Sequence, residues 1–64
     1  MKVIIHRDSA VKEIKGSHTV EKALRILNII PETVLVVKDG RLVTLDTKIE
    51  EDEEIEVIPV VSGG

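Results

Sequence analysis

The chain has 64 residues, of which 42% are hydrophobic; it has no Phe, Tyr, Trp or Cys, and its formal net charge is −3. A single domain of that size buries only about 60% of its unfolded surface, too little to wall off an enclosed substrate cavity of about 300 Å³. Without aromatic side chains there is no platform for stacked bases, the negative charge repels phosphate, and the missing thiols remove disulfides, thiolate metal sites and a cysteine nucleophile.

Met1-Lys2-Val3-Ile4-Ile5-His6 is apolar and β-branched, which predicts a first strand, and Arg7-Asp8-Ser9 predicts a turn. Ala10 to Lys15 reads as a weaker strand closed by Gly16, and its charges suit a sheet edge. Val20, Ala23, Leu24 and Leu27 then fall at the spacing that puts them on one face of an α-helix. Thr19 is the expected N-cap, and Glu21 brings negative charge to the first turn. Asn28, which tolerates left-handed backbone, and Pro31 are expected to end this helix after about ten residues. Thr33-Val34-Leu35-Val36-Val37-Lys38 predicts the next strand, and Asp39-Gly40 predicts a tight hairpin onto Arg41-Leu42-Val43-Thr44. Asp46, Lys48 and the acidic run Glu50-Glu51-Asp52-Glu53-Glu54 read as solvated loop. The last strand covers Ile55 to Val61, with Pro59 removing one ladder donor near its end. The order is ββαβββ, an α+β domain over residues 1–61 with four to five strands and one helix, followed by a tail at residues 62–64.

One helix covers one face of such a sheet, so alternation along the third strand sends Val34 and Val36 to one side and Leu35 and Val37 to the other. Either Leu35 and Val37 stay open as a protein-docking surface, continued by Pro59 and Val61, or loops or Leu45 and Ile49 close over them. His6 and His18 have no neighbouring nucleophile and no ligand cluster at metal spacing, so both are expected to be structural or exposed. Gly16 and Gly40 are isolated turn residues rather than a phosphate loop, so the chain is not expected to bind ATP or any other cofactor itself. No stretch approaches the roughly 20 apolar residues of a membrane span, and no long apolar secretion signal opens the chain. A cytoplasmic location is the expectation.

The chain closes with Ser62-Gly63-Gly64, expected to be a free end. Glycines without side chains pass through a narrow channel and bring the terminal carboxylate close to another enzyme's reacting phosphate. At neutral pH that carboxylate is ionised and unreactive, so it needs activation. Joined to AMP, it would acylate sulfide, a thiolate or a lysine amine. Since the chain has no cysteine, sulfur must come from outside.

The segment Pro31 to Gly40, the strand Glu54 to Val61 and the Gly63-Gly64 end together resemble the ThiS/MoaD sulfur-carrier family. The resemblance spans essentially the whole chain, and it implies a ubiquitin-like β-grasp whose first and last strands are parallel neighbours. It further implies that an adenylating enzyme of the ubiquitin-activating type uses ATP to adenylate Gly64, which then becomes a thiocarboxylate, with Ser62 and Gly63 recognised in the narrow approach. The implied partners are a sulfur donor and an acceptor synthase, either thiazole synthase for thiamine or the large subunit of molybdopterin synthase, or else a tRNA-thiolation pathway. Archaeal small modifiers in the same group are attached to lysines instead. The ending lacks the Phe that precedes Pro in the usual molybdopterin-type sequence.

Overall fold

The computed structural model describes residues 1–7 and 9–60. Strand β1, Lys2–Ile5, pairs antiparallel with the edge strand β2, Ala10–Glu13. Two-residue strand β3, His18–Thr19, leads into helix α1, Val20–Ile26. A 3₁₀ turn at Pro31–Thr33 precedes β4, Val34–Lys38, which is followed by β5, Arg41–Leu42, β6, Lys48–Ile49, and β7, Glu54–Pro59.

The five-stranded sheet runs β2-β1-β7-β4-β5, and β1 and β7 pair in parallel while the other neighbours are antiparallel. With one helix on this mixed sheet, the fold is the β-grasp that the family resemblance implied. Apolar Val3, Ile55, Val57 and Val36 point to the helix side and join Val20, Ala23 and Leu24 in one aliphatic core. Ile49 completes that core from β6.

Local chemistry accounts for the boundaries. Lys22 N donates to Thr19 Oγ1 at 3.2 Å, so Thr19 caps the helix. Val20 N and Glu21 N donate to Thr47 O and Leu45 O, which satisfies two more of the free donors of the first turn. At the other end Asn28 has φ 60°, Asn28 N bonds Arg25 O, and Ile29 N bonds Leu24 O. That pair of bonds around a left-handed residue is a Schellman cap, with Ile29 packed back on the core. Asp39 and Gly40 both have positive φ, 53° and 78°, as the tight hairpin between β4 and β5 requires.

Three details differ from the sequence expectation. The helix has 7 residues, because the Schellman cap closes it at Ile26. The fifth strand is short, two residues, since Thr44 turns away to bond Asp46 and Thr47 through its hydroxyl. The additional β3–β6 ribbon places Lys48 in a strand, where it pairs with Thr19 and ties the loop to the start of the helix.

Core position should govern stability. Leu24 is fully buried and Val11 is 57% exposed. Leu24→Ala is expected to cost about 2–5 kcal/mol, a large part of the total for a domain this small, read as a lowered urea midpoint. Val11→Ala should stay within about 0.5 kcal/mol of the parent.

Candidate functional site

Strand β7 lies at the centre of the sheet, hydrogen-bonded to β1 on one side and β4 on the other, and it leads directly toward the C-terminus. Val60 N donates to Thr33 O at 3.0 Å, so the chain is held against β4 one residue beyond the strand. By alternation, the nitrogen of Pro59 faces the β1 side, where β1 has already ended at Ile5. The missing donor therefore interrupts no ladder, and proline fits there. Beside this exit, between the end of the helix and the ends of β1 and β7, is an open cleft of about 370 Å³. Ile5, Leu27, Ile29 and Pro59 contribute its apolar lining, and Arg7 and Lys12 bring positive charge.

The helix-free face of the sheet is open. Register places Val11, Ile4, Glu56, Val37 and Leu42 in one row across all five strands, and pairs Leu35 with Ile58 in the next. Leu35 is 44% exposed, Leu42 66% and Ile58 36%, while Val37 is half-buried. Leu45 and Ile49 do not cover them: Leu45 is exposed and Ile49 is locked in the core on the helix side. Pro59 does not join this surface, because it pairs with Val34 and lines the cleft on the opposite side. Leu35 and Val37 are thus brought together and Pro59 is separated from them by strand alternation. Val61, Ser62, Gly63 and Gly64 lie outside the described residues.

Sequence reading missed Ile4, Leu42 and Ile58 as parts of this face. Alternation alone would have put Ile58 with Glu56, but placing it beside Leu35 needs the β4–β7 register. In the middle of the face His6 Nε2 and Glu56 Oε1 are 2.8 Å apart, with both side chains well exposed to solvent. His18 Nε2 donates to Lys15 O at 2.9 Å, a structural role. Among the described residues no group of three or more His, Cys, Asp or Glu side chains is placed to hold a metal ion.

The acidic run is more ordered than a solvated loop. Glu50 accepts from Ser17 Oγ, Glu51 accepts from Gly16 N, and Glu53 accepts from Glu50 N and pairs with Lys38 Nζ at 2.6 Å. Its backbone also receives the amino terminus, since Met1 N donates to Glu51 O and Lys2 N to Glu53 O. The turn is built into the sheet because it feeds β7 alongside the start of β1.

Compared with known families, the chain matches the ThiS family over residues 4–64, from β1 through the terminal Gly-Gly. The chain belongs to the ThiS family. Family membership agrees with the β-grasp topology. A similar protein is sulfur carrier protein TtuB of Thermus thermophilus, 36% identical over 52 residues, which are 81% of this chain and 80% of that one.

The ion pair at the hairpin end makes this ThiS-family domain acid-sensitive in a defined direction. The hydrogen bond from Lys38, followed by the bond from Glu50 N, holds the Glu53 carboxyl below its ordinary value. The same bond raises the Lys38 ammonium above its usual value. A depressed carboxyl stabilises the fold above the ordinary carboxylate range and loses that contribution as pH falls through its native value. A raised lysine loses its contribution only as pH rises through its own native value. Urea unfolding across the acid limb should therefore show a weaker pH dependence for Glu53→Gln than for the parent, and equal slopes would refute the assignment.

Proposed function

We propose that this chain is a sulfur carrier that works through the carboxylate of Gly64. The observation that carries the reading is a Gly63-Gly64 ending that follows the central strand of a β-grasp in sequence, within a ThiS-family match that extends to residue 64. The sulfur-carrier name of its Thermus relative supports the same role.

The chemistry follows from the state of the carboxylate. An adenylating enzyme of the ubiquitin-activating type binds ATP, and a Gly64 carboxylate oxygen attacks the α-phosphorus, expelling pyrophosphate. The resulting mixed anhydride has AMP as a good leaving group. Hydrogen sulfide released by a donor then attacks the acyl carbon, the C–O bond to AMP breaks with AMP as leaving group, the S–H proton passes to solvent, and the tail leaves as a thiocarboxylate. The chain contributes presentation rather than catalysis. Gly63 and Ser62 keep the approach narrow, and the open face with Leu35, Val37 and Ile58 docks on the activating enzyme. ATP is consumed by that partner, in the cytoplasm. The thiocarboxylate delivers sulfur to an acceptor synthase of thiamine or molybdopterin synthesis, or to tRNA thiolation. If a lysine amine takes the acyl group instead, the product is an isopeptide-linked modifier.

Incubation with the activating enzyme from the same genome, ATP and a sulfur source should replace one oxygen of the intact protein by sulfur, read by mass spectrometry. Removing Gly64 should abolish the change. Lysine conjugates without a thiocarboxylate would favour the modifier reading, and neither product would sink the proposal.

A further inference from the structure

The open face is apolar on one side and acidic on the other, and Glu56 belongs to both. Toward the tail end it presents Leu35 and Ile58, paired across β4 and β7. Toward the hairpin end it slopes into a depression of about 460 Å³ bordered by Asp39, Asp52, Glu53, Glu54 and Glu56. The lysine of that border, Lys38, is already paired with Glu53. Glu56 stands in the central row, between Ile4 on β1 and Val37 on β4.

A protein that covers Leu35, Val37 and Ile58 must also take Glu56 out of water. Burying a carboxylate is costly unless it is paired and hydrogen-bonded. Among the described residues His6 is its side-chain partner, meeting Oε1 and leaving the carboxylate's remaining acceptor sites to solvent. The single imidazole contact reaches one of the two carboxylate oxygens, and the neighbouring Glu54, Asp39 and Asp52 add negative potential. The free face is therefore electrostatically incomplete at its centre.

We infer that the docking surface of the activating enzyme carries a cationic side chain, best an arginine, that enters this depression and pairs with Glu56 as the apolar contact closes. Arginine suits the place because its planar guanidinium meets a carboxylate through two hydrogen bonds and is more weakly hydrated than an ammonium. Glu56 thereby sets which partners this face accepts: an equally apolar surface without the cation strands the carboxylate and is rejected. The inference rests on the sulfur-carrier reading, which supplies the partner.

The test measures ATP–pyrophosphate exchange by the activating enzyme from the same genome at increasing concentrations of carrier. Glu56→Lys is expected to raise the half-saturating carrier concentration about tenfold or more, and Glu56→Gln by a smaller factor, with the maximal rate retained. Glu13→Lys makes the same charge reversal at the β2 edge of this face, opposite Lys2, and should stay within about twofold of the parent. Both positions are solvent-facing, and thermal melts of the three variants verify that each is folded. If the parent itself supports no exchange, the sulfur-carrier reading fails first. If it does, and Glu56→Lys is unaffected or no worse than Glu13→Lys, the central cation is disproved.

Discussion

The parallel pairing of β1 with β7 is the contact on which the rest of the molecule depends. It joins the two ends of the chain, Lys2 opposite Glu54 and Ile5 opposite Val57, and puts β7 in the middle of the sheet. Parallel neighbours need a long crossover between them, and everything from β2 to the acidic turn serves as that crossover. The amino terminus locks the arrangement by donating to Ile14 O and Glu51 O. Because β7 is central, Ile55 and Val57 are completely buried, and the segment leading to the tail leaves from the most firmly held strand of the domain.

That arrangement separates the two jobs of the surface. Alternation along β7 sends Ile55 and Val57 to the core, and Glu54, Glu56 and Ile58 to the helix-free face. The buried core lies on one side of the sheet, and the proposed docking surface lies on the other. An aliphatic core without aromatics suffices because helix and sheet are close-packed around short branched side chains.

Much of this was legible from local patterns. Thr19, Asn28 and Asp39-Gly40 act through their own backbone neighbourhood, so the cap, the helix stop and the hairpin could be read residue by residue. The β3–β6 ribbon could not, because a strand of two residues has no periodicity and exists only where a partner meets it. The acidic run looked like solvent-facing charge, yet Glu50, Glu51 and Glu53 find partners in Ser17, Gly16 and Lys38, which are remote in sequence. Pro59, expected to continue the surface of Leu35 and Val37, pairs with Val34 and so faces the other side of the sheet.

The sequence by itself determined the aliphatic core, the single helix, the succession of the longer strands along the chain and the Gly-Gly end, since these rest on composition, periodicity and backbone preference. Tertiary structure decided which side chains share a surface. Whether Leu35 meets Ile58, and whether Glu56 stands among Ile4 and Val37, depends on registers between strands from distant parts of the chain. A shift of one residue would turn each of those side chains to the opposite face, and no local preference records that choice.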